Sequence, residues 1–192
     1  MKKVIILGAS GNIAKHVTDL LLQKNDVSLT LFVRSANRLK NNDTTKAHII
    51  EGDVMNYRQL REAIKGQDIV YMNLAGDLEE MAKNVVKAMK ETEVRRVILI
   101  SSIGIYEKPQ KPILIPYRKA ADAVESSGLE YTILRPAWFT SVNEVDYETT
   151  RKGEPEKGSV ISMKSLATLI SKIIEFPEQY ARENLGVNKP QS

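Results

Sequence analysis

A glycine-punctuated turn follows the first apolar run of the chain and has the composition of a phosphate-binding turn. Val4 to Leu7 are apolar and lead directly into the turn Gly8 to Ile13, with the sequence GASGNI. A pyrophosphate binds backbone N–H groups at the start of a helix, where unpaired donors and the helix dipole favour negative charge. Gly8 permits the tight turn, and Gly11 has no Cβ to keep the phosphate away. The G-x-x-G-x-x-A spacing, which ends at Ala14, predicts a dinucleotide-binding turn, although a glycine-rich turn without a ligand is the alternative.

A basic position indicates which dinucleotide would bind. Arg34 follows the second apolar run, Val27 to Val33, where a site for NAD usually has an acidic residue that binds the ribose hydroxyls. No Asp or Glu occurs between Leu29 and Asn42, and Arg38 lies one helical turn beyond Arg34. Because a guanidinium suits a 2′-phosphate, the sequence favours NADP over NAD. A plain surface arginine is the alternative.

Three more segments follow apolar runs and complete the candidate cofactor site, because ligands of open parallel sheets lie beyond the carboxyl ends of the strands. Asp53 is placed to accept from the exocyclic amine of an adenine and Val54 to pack on its ring, although Asp53 could instead cap the next helix. The small residues at 73–76 allow the backbone to pass close to a dinucleotide. Residues 136–138 follow the last of these apolar runs and therefore lie at the same edge of the sheet, where Pro136 fixes the course of the chain.

The elements that must position these residues alternate between strand and helix. Apolar runs predict strands at Val4–Leu7, Val27–Val33, Ala47–Ile50, Ile69–Met72, Val97–Ile100 and Tyr131–Leu134. Helical spacing predicts helices near Asn12–Lys24, Arg58–Ile64, Glu79–Glu91 and Tyr117–Ser126. Continuously apolar strands joined by helices require a parallel sheet that is covered on both faces. The predicted fold class is α/β: a three-layer, doubly wound, mostly parallel sheet (Rossmann fold) with a small irregular C-terminal region.

The chain is predicted to form one NAD(P)-binding domain over residues 1–192, since 192 residues with 42% hydrophobic content suit one core. The core covers residues 1–139, and residues 140–192 form a substrate or cap region. In that region residues 143–156 are polar and charged, Val160-Ile161 offers a brief strand, and Ser165 to Ile174 has helical spacing.

Composition excludes several classes of function. The chain has no cysteine, which excludes disulfides and thiolate metal sites. We therefore expect a cytoplasmic location and no bound metal. No apolar run approaches the roughly 20 residues that span a bilayer, so no membrane contact is expected. The net charge of +4 comes from 28 basic residues dispersed among 24 acidic ones, which argues against nucleic acid. The expected partner is a small-molecule substrate, and no obligate protein partner is evident.

Together these motifs resemble the atypical short-chain dehydrogenase/reductase superfamily, in particular its small NmrA-like, NAD(P)H-binding members. The resemblance extends over most of residues 1–178. It rests on GASGNIA at 8–14, Arg34, Gly52-Asp53-Val54, Leu74-Ala75-Gly76, Ser101-Ser102 and SGLEYTILRPAWF at 127–139.

The resemblance implies a role for each of these positions. It places the pyrophosphate on Gly8, Ser10, Gly11, Asn12 and Ile13, the 2′-phosphate on Arg34, and the adenine on Asp53 and Val54. It places the adjoining ribose on Ala75 and Gly76, next to Leu74, and the nicotinamide against Pro136, Ala137 and Trp138. Simple core packing is the alternative for Trp138.

Reductases of this superfamily commonly use a serine after the fifth strand and a Tyr-x-x-x-Lys pair on the next helix. Ser102 fits the serine position, although a serine at the end of a buried strand could merely satisfy backbone groups. The pair is missing, because Ala121 stands four residues after Tyr117. Lys119 is two residues from Tyr117, about 200° around a helix, so the two cannot act side by side. The candidate catalytic residues that remain are Ser102 and Tyr117.

The segment before Tyr117 is predicted to be extended, because Pro112 and Pro116 oppose a helix there. Gln110 stands four residues after Tyr106, so this second tyrosine has no lysine partner either. A standard carbonyl-reducing pair is therefore not expected.

Two classes of function remain. The first is an NADPH-dependent oxidoreductase that transfers hydride to an easily reduced small acceptor, such as a quinone, flavin or carbonyl. The second is a non-catalytic, NmrA-like NADP(H) sensor whose ligand state changes the C-terminal region. The missing Tyr-x-x-x-Lys pair favours the sensor. Against the sensor, the sequence shows no added interaction domain, no DNA-reading motif and no basic stripe, so the enzyme is the predicted class. An open apolar pocket beside Ser102 and Trp138 would suit a substrate, and a filled one would suit a sensor.

Overall fold

A parallel sheet of short, buried strands occupies the centre of the molecule in a computed structural model, which describes residues 1–39 and 44–190. Its first six strands are β1 (Lys2–Leu7), β2 (Val27–Val33), β3 (His48–Glu51), β4 (Ile69–Met72), β5 (Arg96–Ile100) and β6 (Glu130–Pro136). They are parallel and lie in the order β3-β2-β1-β4-β5-β6. The order reverses between β1 and β4, and ligands of such sheets bind at this reversal.

Helices cover both faces of the sheet, which confirms the predicted doubly wound α/β fold. On one face lie α1 (Asn12–Leu21) and α5 (Met163–Glu175); on the other lie α2 (Tyr57–Ile64), α3 (Leu78–Glu91) and α4 (Ile115–Glu125). Val4 and Ile6 pack toward α1 and α5, whereas Ile5 and Leu7 pack toward the opposite layer. Each such buried aliphatic side chain stabilises the fold by roughly 1.5–3 kcal/mol. Burial on both faces is why these strands are continuously apolar.

The C-terminal region is more regular than its sequence predicts. It contains β7 (Trp138–Thr140), β8 (Glu148–Arg151), β9 (Val160–Ser162) and β10 (Glu183–Asn188). Strand β10 pairs in parallel with β6, β8 pairs antiparallel with β10, and β7 and β9 form a separate parallel pair. The sequence of β10, ENLGVN, has low intrinsic strand propensity, so its place beside β6 is set by tertiary pairing. At Gly186 a Cβ would lie 2.6 Å from Thr150 Oγ1, so close packing with β8 requires this glycine.

The prediction that the segment before Tyr117 is extended is wrong. A 3-10 turn covers Pro112–Leu114, and α4 begins directly after it at Ile115. Proline is tolerated in the first turn of a helix because the N–H it lacks would have no partner there, so Pro116 does not delay α4. A second 3-10 turn, Ala36–Leu39, follows β2. Within the described part of the chain, no helix is long and apolar enough to cross a membrane.

Candidate functional site

The turn after β1 requires glycine at its first position. Gly8 has φ of +80°, and a Cβ there would lie 2.2 Å from the backbone oxygen of Asn73. The N–H groups of Gly8 and Ala9 both donate to the Phe32 carbonyl oxygen, at 3.1 and 3.4 Å. The turn is thereby fixed against β2 on one side and the end of β4 on the other.

The start of α1 presents unpaired donors to the crevice. Gly11 is the N-cap, no side chain caps the helix, and its first turn holds no acidic residue. Within residues 1–39 and 44–190, no protein acceptor bonds the amide N–H groups of Ser10, Asn12 and Ile13. The Ile13 side chain is buried in the core, so only its backbone is available. These free donors at a helix N-terminus suit an anion.

Asn73, the first residue after β4, belongs to the segment that the sequence places at the site, but the role of its side chain was not predicted. Its Nδ2 donates to the Gly8 carbonyl oxygen at 3.4 Å, and its Oδ1 accepts from the Tyr71 hydroxyl at 3.5 Å. Tyr71 is fully buried, and this burial raises its pKa. A Cβ at Gly11 would lie 2.3 Å from Asn73 Nδ2. The second glycine of the turn therefore accommodates this amide, and the only sequence signal was a polar residue at the carboxyl end of a central strand.

A cavity of about 270 Å³ lies between the turn and the ends of β2, β3 and β4. We call it the Arg34 cavity. Eight predicted cofactor-binding residues line it: Gly8, Ser10, Gly11, Arg34, Asp53, Val54, Leu74 and Ala75. Six others complete its wall: Phe32, Val33, Arg38, Gly52, Asn73 and Met81. Asn12, Ile13 and Gly76 do not line it, and Gly76, with φ of +120°, lies in the turn before α3.

Two cations face the Arg34 cavity without a carboxylate partner. Arg34 and Arg38 are exposed, and no ion pair involves either of them within the described residues. Residues 40–43, at the end of the segment that carries them, lie outside the described residues. The nearby Glu51 carboxylate instead accepts from the Ala36 N–H at 2.5 Å. The two guanidinium groups are thus available to an anionic ligand.

Asp53 does not cap the following helix. The N-cap of α2 is Asn56, whose side chain accepts from the Gln59 N–H at 3.3 Å. Asp53 Oδ1 accepts from the Met55 N–H at 2.9 Å, which closes a local turn and leaves the exposed carboxylate at the cavity wall. Val54 is buried beside it. The predicted contact with an adenine stays a prediction.

A second cavity of about 270 Å³ continues the crevice across the ends of β4, β5 and β6. We call it the Trp138 cavity. It shares Asn73 and Leu74 with the Arg34 cavity, and its other lining residues are Ile100, Ser101, Ser102, Ile103, Tyr117, Pro136, Ala137, Trp138 and Phe139. Trp138 is 77% exposed and Phe139 48%. The cavity is therefore open and has an aromatic rim, and Trp138 is not a core residue.

The hydroxyl groups of Ser102 and Tyr117 are available in the Trp138 cavity. Ser102 Oγ donates to the Ile103 carbonyl oxygen at 3.2 Å, so this serine does bond a backbone group, as the alternative interpretation of the sequence proposed. The bond leaves Ser102 Oγ free to accept a hydrogen bond. The neighbouring Ser101 is buried, and its Oγ donates to the Tyr117 carbonyl oxygen at 3.4 Å. Tyr117 lies in the first turns of α4 and lines the cavity.

Lys119 cannot assist Tyr117. Its Nζ lies 2.8 Å from Glu79 Oε2 on α3. Hydrogen bonds from Lys119 and Lys83 lower the pKa of Glu79 to about 2. In the described residues Lys119, the lysine nearest to Tyr117 in sequence, is therefore paired with Glu79 of α3.

Other features of the described chain do not compete with this crevice. A larger cavity of about 560 Å³ lies at the opposite edge of the sheet, near the starts of β5 and β6, and contains none of the predicted site residues. No group of three or more His, Asp or Glu residues that could hold a metal ion occurs in residues 1–39 and 44–190.

Comparisons with known proteins agree with this geometry. The sequence profile of a family described as NAD(P)H-binding matches residues 8–177. The chain is 32% identical over 126 residues to cinnamoyl-CoA reductase 1 of Petunia hybrida, with 56% of this chain and 38% of that protein covered. It spans 38%, 49% and 64% of the lengths of three curated relatives, all reductases or reductase homologues by name.

Solved structures show the same fold over the whole chain. A Rossmann-fold NAD(P)-binding family protein from Shigella flexneri is 49% identical, with a TM-score of 0.92 and coverage of 100% of this chain and 95% of that one. A short-chain dehydrogenase/reductase from Veillonella parvula in complex with NADP is 26% identical, with a TM-score of 0.85 and coverage of 98% and 95%. These matches confirm the resemblance predicted from the motifs.

Proposed function

The chain belongs to the NAD(P)H-binding family, and we propose that it is an oxidoreductase that transfers hydride from NADPH to a small, easily reduced acceptor. The observation that carries this proposal is the continuous crevice at the carboxyl edge of the sheet. Its Arg34 cavity offers free amide donors and two cations, whereas its Trp138 cavity is mostly apolar and open to solvent. The two cavities meet at Asn73 and Leu74, so a dinucleotide in the first would lead into the second.

NADP is preferred to NAD in this proposal because of the charges around the Arg34 cavity. Arg34 and Arg38 would bind the 2′-phosphate, for which no described carboxylate competes by ion pairing. The amide groups at the start of α1 would hold the pyrophosphate. Asp53 and Val54 would contact the adenine, and Ala75 and Gly76 the adjoining ribose.

The Trp138 cavity would receive the nicotinamide ring and the acceptor. Pro136, Ala137 and Trp138 would lie against the nicotinamide, and bound NADPH would supply the hydride. Trp138 and Phe139 offer flat apolar surfaces for a planar acceptor, while Ser102 and Tyr117 would orient one of its carbonyl groups by hydrogen bonds. A quinone or a flavin suits this site better than an aldehyde, because no lysine assists Tyr117 in proton transfer.

The open Trp138 cavity also favours an enzyme over a non-catalytic sensor. A sensor has no need for a solvent-accessible apolar pocket next to the cofactor, whereas an enzyme needs such a pocket for its acceptor. The missing Tyr-x-x-x-Lys pair is the feature that favours the sensor.

A screen of quinones, flavins and aldehydes, followed by NADPH oxidation, tests the proposed function. We expect turnover with quinones or flavins, slow or no turnover with aldehydes, and a raised acceptor KM in Ser102→Ala and Tyr117→Phe. Tight NADPH binding without oxidation by any of these acceptors would contradict the enzyme and favour the sensor.

A further inference from the structure

A single carboxylate in the C-terminal region joins two separate segments of the sheet. Glu156 lies between β8 and β9, in the polar stretch where the sequence shows no chemical motif. Its Oε1 lies 2.6 Å from Arg135 Nη1, and its Oε2 accepts from the Gly104 N–H at 2.7 Å. Glu156 therefore holds the end of β6 and the loop after β5 at the same time.

These two segments form two adjoining walls of the Trp138 cavity. Gly104 directly follows Ser102 and Ile103, and Arg135 directly precedes Pro136. The two walls also contact each other, since the Ile103 N–H donates to the Pro136 carbonyl oxygen at 3.0 Å. A shift of Glu156 would thus be transmitted to both sides of the cavity.

The partners of Glu156 leave it little freedom. Arg135 is 1% exposed. Among the described residues its Nε has no hydrogen-bond partner, and its Nη2 donates only to the Thr150 carbonyl oxygen, at 3.5 Å. Burial lowers the pKa of Arg135, and the negative charge of Glu156 opposes this shift. Gly104 is buried and has φ of +82°, so the loop after β5 adopts a conformation that few other residues permit. The Gly104 N–H bond to Glu156 is therefore a fixed point of a constrained loop.

We propose that Glu156 is a positioning residue of the acceptor site, whose bond to the Gly104 N–H holds the loop that carries Ser102. Arg135 serves as the buried cation that keeps the Glu156 carboxylate in place. The inference rests on the proposed function, because it assumes that the Trp138 cavity binds the acceptor.

Removing Glu156 alone would leave a buried, unpaired Arg135 and would lower the Tm by about 10 °C, so a better test removes the cation as well. The double variants Arg135→Met/Glu156→Gln and Arg135→Met/Glu156→Ala both lack the buried charges. The glutamine variant keeps a carbonyl oxygen for the Gly104 N–H, and the alanine variant does not. Glu154→Ala is the control, because the Glu154 carboxylate is exposed and accepts only from the Arg151 N–H.

Two measurements are made on these variants and the wild type. The first is kcat/KM for menadione and FMN with NADPH, alongside the Kd of NADPH. The second is the quenching of Trp138 emission by menadione in the presence of NADP, which needs no turnover; Trp138 is the only tryptophan of the chain.

We expect the alanine variant to lose about tenfold or more in kcat/KM, because small misplacements of orienting groups have large effects on rate. Its menadione quenching should weaken in parallel. The glutamine variant lacks the anchoring cation but keeps an acceptor for the Gly104 N–H, so it should lose clearly less than the alanine variant, while the NADPH Kd and Glu154→Ala stay close to wild type. Equal kcat/KM and equal quenching in the two double variants would overturn the positioning role. If no variant turns over, the quenching comparison alone decides the role of Glu156, and the absence of turnover counts against the proposed function instead.

Discussion

Replacement of Arg34 by alanine should weaken the binding of NADPH much more than that of NADH. Arg34 is exposed at the wall of the Arg34 cavity and has no ion-pair partner within the described residues, so its removal breaks no internal contact of this kind. A hydrogen bond between charged groups contributes about 1.5–3 kcal/mol. Solvent screening at an exposed site favours the lower end of this range, which corresponds to about a tenfold loss in NADPH affinity. NADH lacks the 2′-phosphate and should bind almost unchanged.

Titration of Trp138 emission with each dinucleotide provides the assay, because energy transfer to a bound dihydronicotinamide is expected at this sole tryptophan. Isothermal calorimetry gives an independent Kd. Arg38→Ala is the matched variant and should show the same preference with a smaller loss, and both effects should shrink as salt screens the charges. Equal losses for NADPH and NADH in Arg34→Ala would refute the assignment of Arg34 to the 2′-phosphate.

Four other variants probe the turn, the rim of the crevice and the helix layer. Gly8→Ala should lower the Tm, because its Cβ would meet a backbone oxygen at 2.2 Å and a positive φ alone costs about 1–3 kcal/mol. Gly11→Val should instead abolish dinucleotide binding, because a Cβ there would keep the phosphate away from the turn. Its circular dichroism spectrum should be unchanged, because the nearest atom, at 2.3 Å, is the tip of the Asn73 side chain and the Gly8 carbonyl oxygen is at 3.4 Å; loss of folding would contradict this. Trp138→Ala should raise the acceptor KM without a change in Tm, since the side chain is 77% exposed, and an unaltered KM would remove Trp138 from the site. Glu79→Gln should lower the free energy of unfolding measured in urea at neutral pH. The difference in unfolding free energy from wild type should fade as the pH falls from 4.5 toward about 2, because the lowered pKa of Glu79 stabilises the fold only while the carboxylate is ionised. A difference that does not change with pH would contradict this.

The strands that were predicted correctly are those whose burial on both faces leaves a continuous apolar run. Val4 to Leu7 and Ile69 to Met72 show this pattern, and their order follows from alternation with helices. Strand β10 was missed because its polar residues and Gly186 carry no such pattern, and its position depends on β6 and β8. Sequence periodicity records local burial, and it does not record a strand that is stabilised mainly by its neighbours.

In the candidate site, too, some residues could be predicted from the sequence and others could not. The place of the turn glycines and of Arg34 at the crevice could be predicted, because the tight turn into the first helix needs glycine and the residue after β2 lies at the same edge of the sheet. The roles of the Asn73 and Glu156 side chains could not be predicted, since a single amide or carboxylate has many roles in a sequence. Their bonds to Gly8 and Gly104 depend on the packing of segments far apart in the chain.

Stereospecific hydride transfer tests the central claim most directly. The measurement compares menadione-dependent oxidation of NADPH that carries deuterium at either one or the other of the two C4 positions. We predict enzyme-dependent oxidation that saturates with menadione and is slowed substantially by deuterium at only one of the two positions, because the crevice would hold one face of the nicotinamide toward the acceptor. Absence of enzyme-dependent oxidation, or equal rates with the two labelled cofactors, would contradict hydride transfer in this crevice.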